Sequence, residues 1–196
     1  MIKKTKKSQL TLRKRFIWSL IAILIGIGAA IVIGYLVINT VTAISNSARK
    51  ERIATIYQSL KLDESYTPVK VDIFGEKRVY EWDKGRSYSS SIQYVHGDTT
   101  GNTVTELDRA IKNAGFEFID EPYPGSFDTQ YHYKSGSGEY IRLTVSNKAS
   151  DDEFENNRLM GKSLDQMGDN FRELAKDKNK GPANVTIKVN LDDNNE

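Results

Sequence analysis

The two histidines of the chain are its first candidates for chemistry. His96 is followed two residues later by Asp98, and either Asp98 or Asp128 could orient a histidine as a proton acceptor. A catalytic zinc site usually takes three protein ligands, so one histidine with one carboxylate falls short. The sequence therefore predicts two surface histidines, with His132 facing solvent beside Tyr140, and no metal or cofactor site.

Nucleophilic catalysis has little support. The chain has no cysteine, which excludes thiolate nucleophiles, disulfide bonds and Cys-ligated metals. The run Ser89-Ser90-Ser91 lacks the pattern of a nucleophile elbow, and Ser135-Gly136-Ser137-Gly138 is typical of a turn. The many Asp and Glu residues could include a hydrolase pair, which needs carboxyl groups about 5–10 Å apart. No catalytic residue is predicted, and a hydrolase that uses carboxylates remains the alternative.

Charge is divided unevenly along the chain. Residues 1–15 hold seven of the 28 basic residues and no acidic residue, which leaves 21 basic against 26 acidic residues in the remainder. Binding to nucleic acid requires clustered Lys and Arg, so an acidic remainder argues against a nucleic-acid partner. The chain is predicted to be a basic tail joined to a mildly acidic domain.

An uncharged run of 23 residues, 16–38, follows the basic tail. As a helix it would be about 35 Å long, enough to cross a hydrocarbon core of about 30 Å. The basic residues before the run predict a cytoplasmic N-terminus at the plasma membrane, with the C-terminal domain outside the cytoplasm. Because the apolar region of a signal peptide spans only about 7–15 residues, an uncleaved anchor is favoured over cleavage after Ala43.

Small residues recur at every fourth position inside the apolar run, at Gly26, Ala30 and Gly34. Such a stripe allows two membrane helices to approach closely, which would fit a homo-oligomer. Glycine and alanine are also common in membrane helices, and this spacing alone is a weak motif.

The residues after the apolar run predict a short helix and then a first strand. One apolar face at helical spacing is formed by Ile53, Ile56, Tyr57 and Leu60. Apolar and polar residues alternate at 69–73, which predicts a strand. A turn at 75–77 would connect it to a second strand at 79–82. A further strand is predicted from Tyr88 to Val95.

The clearest local signal is Thr103-Val104-Thr105-Glu106, which fits a capping box with Thr103 as the N-cap residue. The helix that follows is predicted to direct a stripe toward the core, formed by Leu107, Ala110, Ile111 and Ala114. Gly115 is predicted to end this helix, because glycine adopts the left-handed conformation without strain. A short strand, 116–119, comes next.

Two strands, 127–134 and 139–147, predict a hairpin. Pairing Tyr131 with Ile141 places the apolar side chains on one face and implies an odd-length loop with a glycine at positive φ. The same register pairs Phe127 with Val145 and Thr129 with Leu143.

The last third of the chain predicts one more helix and one more strand. A second amphipathic helix is indicated by Leu164, Met167, Phe171 and Leu174. Residues 149–157 are interpreted as an acidic polar connection. Apolar and polar residues alternate from Val185 to Leu191, which predicts the final strand. The order β-α-β-β-β-α-β predicts an α+β domain with a mostly antiparallel sheet and two helices on one face, a ferredoxin-like arrangement with extra strands.

These features predict a single-pass, non-catalytic module that binds or assembles in the cell envelope. The layout resembles that of bitopic components of bacterial envelope machines, including pilus-assembly subunits, and the resemblance concerns architecture alone. The expected partners are the lipid bilayer and an envelope or membrane protein. The predicted divisions are a basic tail at 1–15, a transmembrane helix at 16–38, a juxtamembrane helix and linker at 39–68, the domain at 69–191 and an acidic tail at 192–196.

Overall fold

A long helix and a six-stranded sheet dominate the structure, a computed structural model that confirms the α+β class. It describes residues 3–76, 88–122, 129–163, 166–167 and 170–191, with the backbone alone for 3–15 and 170–172. The helices are α1 (Lys3–Ser59), α2 (Thr100–Asn113), α3 (Lys148–Leu159) and α4 (Asn170–Lys176). The strands are β1 (Thr67–Phe74), β2 (Tyr88–His96), β3 (Phe116–Asp120), β4 (Thr129–Ser135), β5 (Tyr140–Asn147) and β6 (Ala183–Leu191).

Helix α1 continues from the apolar run into the folded domain without a break. By length and composition it can cross a membrane, a criterion that an N-terminal signal sequence also meets. Its last turns enter the core, where Ile53, Ile56 and Leu60 are buried as the predicted helical face requires. After the helix ends, the Ser65 amide donates to Asp63 Oδ1 over 2.8 Å in the turn that leads to β1.

The last strand in the chain, β6, lies near the centre of the sheet. The strand order is β1-β2-β6-β5-β4-β3, and neighbouring strands are antiparallel. Alternate side chains of β6 are buried from Ala183 to Leu191, which confirms the predicted strand. The ferredoxin-like detail is not confirmed: a β-α-β unit joins parallel strands, whereas β5 and β6, on either side of α3 and α4, are direct antiparallel neighbours.

The sheet has one apolar and one polar face because its strands alternate. The end of α1 and helix α2 cover the apolar face, and Leu107 and Ile111 of α2 are fully buried there. Ala114 packs against the same core, and Gly115 ends the helix with a φ of +92°, as predicted. Helix α4 borders this face too, since Ala175 lines a cavity of about 200 Å³ together with side chains of α2 and β4.

The start of α2 corrects the sequence prediction. The helix begins one turn early, and Thr99 is its N-cap residue, with Oγ1 accepting from the Asn102 amide over 3.3 Å. Thr103 is instead fully buried inside the first turn, where its hydroxyl donates to Thr99 O over 2.7 Å. The extra turn is stable because the connection before β6 supplies acceptors: Lys180 O and Lys178 O bind the amides of Thr100 and Gly101.

The β4–β5 hairpin has the predicted faces but a different register. Tyr131 pairs with Leu143 and Tyr133 with Ile141, a shift of two residues from the predicted pairing. A shift of two leaves every side chain on the same face, so the hydrophobic pattern could not exclude it. The turn decides the register: the loop of residues 136–138 is closed by the Ser135 amide on Glu139 O, and Gly138 has a φ of +96°. The odd-length loop is confirmed, and Phe127 lies outside the described residues.

Residues 148–159 form helix α3, where the sequence indicated only a polar connection. Asn147 caps this helix by accepting from the Ala149 amide over 2.9 Å. Ion pairs at helical spacing, Lys148–Asp152 and Glu155–Arg158, replace the missing apolar stripe.

Of the predicted helix around Leu164–Leu174, the structure describes the part from Asn170 as helical, and Leu164 lies outside the described residues. Helix α4 begins only at Asn170. Met167 is buried before the helix starts. The predicted strand at 79–82 and the tail at 192–196 lie outside the described residues.

Substitutions on the buried face and on the exposed face of α2 should have different effects on stability. Ile111→Ala should lower the free energy of unfolding by about 2–5 kcal/mol, because it leaves a cavity in the core. Lys112→Ala should change it by less than about 0.5 kcal/mol, because the Lys112 side chain is half-exposed and pairs only with Asp108. Urea unfolding of a soluble fragment that begins at Ser45 measures both values. Equal losses would show that the helix face is misassigned.

Candidate functional site

A groove runs between α3 and the polar face of the sheet. Its volume is about 590 Å³, within the range of about 300–1,000 Å³ that is usual for ligand pockets. The strands contribute amide and hydroxyl side chains, and α3 contributes charged and aromatic ones. Its lining includes Gln93, Thr144, Thr186, Lys148, Asp151, Phe154 and Glu155.

Asp151 holds α3 against the sheet at this groove. Its Oδ2 atom accepts from Ser146 Oγ over 2.6 Å and from Asn184 Nδ2 on β6. These bonds join the first turn of α3 to the ends of two central strands. The helix that forms one wall of the groove is therefore fixed to the floor. Sequence reasoning missed this site because Asp151 and Asn184 are 33 residues apart.

The groove carries both acidic and basic side chains on its α3 wall. Two acidic side chains, Asp151 and Glu155, stand one helical turn apart against one basic residue, Lys148, so the lining favours a neutral or cationic ligand. A glycosidase pair needs one carboxyl group whose pKa is raised, so that it can donate a proton. The hydrogen bond from Arg158 lowers the pKa of Glu155, and Asp151 already accepts two hydrogen bonds. Glu155 therefore does not meet this requirement for a proton donor.

His96 is not the surface residue that the sequence predicted, because it is only 6% exposed. Its ring stacks on Tyr66 with centroids 4.2 Å apart, and Nδ1 lies 2.9 Å from Thr103 Oγ1. Since the Thr103 hydroxyl donates to Thr99 O, it must accept from His96, which places the proton on Nδ1. Asp98 does not orient this ring through a hydrogen bond: it accepts from the Thr99 amide over 2.6 Å. His96 therefore ties β2 to α2.

His132 lies on the polar face, beside Tyr140 as predicted, with ring centroids 5.2 Å apart. Its side chain is only 13% exposed, so the expected solvent-facing position is wrong. The carboxylate that orients it is Asp120, whose Oδ1 lies 2.8 Å from Nδ1, and not the sequence candidate Asp98. Asp128 lies outside the described residues. His96 and His132 occupy opposite faces of the sheet and cannot share a site, and the described ranges contain no group of three His, Asp or Glu placed to hold a metal.

A charged cluster joins α1 to the β4–β5 hairpin. Arg52 donates from Nε to Glu139 Oε1 over 2.7 Å and also contacts it through a second guanidinium nitrogen. Ser135 and Ser137 donate to the other oxygen. Burial alone would raise the pKa of Glu139, but these hydrogen bonds outweigh it and lower the pKa to about 2. The partners are 87 residues apart, and no sequence signal connects them.

The chain matches no protein-family model, no curated protein and no solved structure.

The Glu139 cluster predicts a specific loss of stability in acid. The pKa of the Glu139 carboxyl group is lower in the folded chain than the ordinary value of 4.5. The stabilisation that this carboxylate contributes is therefore complete above about pH 4.5 and disappears as the pH falls toward 2. Glu139→Gln should therefore cost about 1–2 kcal/mol at neutral pH, allowing for the half-exposed Arg52, and almost nothing near pH 2. Urea unfolding of the fragment from Ser45 at several pH values measures this.

The matched control is Glu117→Gln, an exposed carboxylate on β3. Its effect should stay small at every pH. A loss for Glu139→Gln that does not change with pH would contradict the assignment of the cluster.

Proposed function

We propose that the chain is a single-pass membrane protein whose domain lies outside the cytoplasm and works as a non-catalytic binding or assembly module. The observation that carries this proposal is the continuity of α1, which supplies both the apolar span and part of the domain core. A flexible tether would let the domain move freely, whereas this helix fixes its orientation. From Ile38 to Arg52 the helix rises about 21 Å, at 1.5 Å per residue.

Helical structure at the alternative cleavage site supports an uncleaved anchor. Residues 41–43 lie inside α1, and Thr42 is only 9% exposed. Proteolytic cleavage is favoured at locally unfolded segments, whereas this one is helical. The positive charges of residues 1–15 support a cytoplasmic N-terminus.

The groove between α3 and the sheet supports binding as the activity of the domain. It has the volume of a ligand pocket and hydrogen-bonding groups on two walls, and the pKa of its carboxylate Glu155 is lowered rather than raised. A membrane-tethered hydrolase is the weaker alternative for the same reason. The acidic excess of the lining favours a partner that presents neutral or basic groups.

The basic residues of the N-terminal tail should determine the orientation of the chain in the membrane. A reporter fused after Glu196 should be active only if the domain is exported, and protease added to intact spheroplasts should digest the domain. Replacing most of the seven basic residues in 1–15 with Gln should lower the exported fraction, because it removes the charge difference across the span. An inactive reporter in cells that contain the full-length fusion would refute the orientation.

The groove should determine which protein co-purifies with the chain. Thr186→Arg places a bulky charge on the groove floor and should abolish recovery of the partner from gently solubilised membranes. Lys188→Arg, on the same strand but outside the lining, is the matched control and should retain the partner. If the unaltered chain is recovered alone while other membrane complexes survive the same treatment, the binding proposal fails.

A further inference from the structure

Apolar side chains are exposed on α1 beyond the apolar run, where the helix leaves the predicted membrane. Val41 is 60% exposed and Ile44 is 64% exposed, and Ala48 is exposed as well. Large apolar residues on an isolated helix in water are usually covered by another element. Among the described residues, no element of this chain covers them.

The spacing of these residues continues a seam that begins inside the span. The intervals from Ala30 to Ala48 alternate between four and three residues, which is the heptad spacing of a two-stranded coiled coil. Inside the span almost any spacing would be apolar, so the informative positions are those beyond Ile38. The seam consists of Ala30, Gly34, Val37, Val41, Ile44 and Ala48.

The seam up to Ile44 lies on the side of α1 that faces away from the domain, whereas Ala48 borders a cavity that Glu139 of the hairpin also lines. Thr42, Asn46 and Arg49 are partly or fully covered and lie in line with Ile53, which enters the core. At 100° per residue, Ile44 points about 180° away from Ile53. A second helix could therefore reach the seam as far as Ile44 without displacing the domain.

We infer that the seam binds a second copy of this chain, so that two α1 helices form a parallel coiled coil from the span to the base of the domain. The inference rests on the proposed anchoring, because two chains with the same topology in one membrane have parallel helices. The positions that flank the seam, Thr40, Ser45 and Ser47, are uncharged, so the two copies meet no like-charge repulsion. Each copy then contributes the same surface to the contact, as a two-fold symmetric dimer requires.

The bilayer surface is a less suitable partner for the whole seam. Ile44 lies about 9 Å beyond Ile38 along the helix, and Ala48 lies about 15 Å beyond it. The interfacial layer on each side of the hydrocarbon core is only about 5–8 Å thick. Lipid could therefore cover Val41, but the upper part of the seam extends past it.

Single-cysteine crosslinking of the full chain in native membranes tests this arrangement, and the absence of natural cysteine makes each reporter unambiguous. Val41→Cys, Ile44→Cys and Ala48→Cys place thiols in the seam, while Ala43→Cys and Ser47→Cys place them on other exposed sides of the same segment. A disulfide needs Cα atoms about 4.4–6.8 Å apart, so mild oxidation should give at least about fivefold more dimer at seam positions.

A second substitution checks that the seam itself drives the pairing. Ile44→Asn in the Ala48→Cys background should reduce the dimer severalfold, because it places a polar group in the apolar seam. Ser47→Asn in the same background should leave it unchanged.

Equal crosslinking at all five positions, or none in chains that sediment with membranes, would refute the dimer while leaving the anchor intact. Absence of the chain from membranes would refute both proposals.

Discussion

The packing of the last turns of α1 on the apolar face of the sheet is the constraint on which the other features depend. Ile53, Ile56 and Leu60 close the core over β2 and β6, and the Tyr57 hydroxyl lies within 3.0 Å of Ser90 O on β2 and within 2.9 Å of Ile187 O on β6. Burial raises the pKa of Tyr57, so the hydroxyl keeps its proton and donates it to the sheet. Without this helix, one face of the central strands would be open to water.

Because α1 and α2 cover the apolar face, the surfaces on which the proposed contacts rest are the polar face of the sheet and the exposed side of α1. The Arg52–Glu139 cluster fixes the helix laterally against the hairpin, so both surfaces have a defined orientation relative to the span. On the polar face, Asp151 fixes α3 and thereby shapes the groove. If α1 is anchored as proposed, these contacts hold the groove at a fixed distance from the membrane.

Several features of the fold depend on specific hydrogen bonds and ion pairs, some local and some between distant residues, that the hydrophobic pattern does not encode. The hairpin shows this most clearly, since two registers place Tyr131 and Ile141 on the same face and only the three-residue loop distinguishes them. The extra turn of α2 needs the Lys178 and Lys180 carbonyls, which belong to a segment about 80 residues later. Helix α3 needs its Asn147 cap and its ion pairs, because it lacks the apolar stripe by which helices are usually recognised.

The sequence alone determined the apolar run of α1, the apolar face that α1 and α2 present to the core, the alternation of β6 and the faces of the hairpin. These features follow from periods of 3.6 and 2 residues, which are local properties. The tertiary structure alone decided the strand order, the register, the burial of His96 and His132, and the groove that Asp151 shapes. The strand order, the histidine burial and the groove depend on which distant segments meet, and the hairpin register depends on where the loop closes. Hydrophobic periodicity assigns a residue to a face without specifying its neighbour on that face.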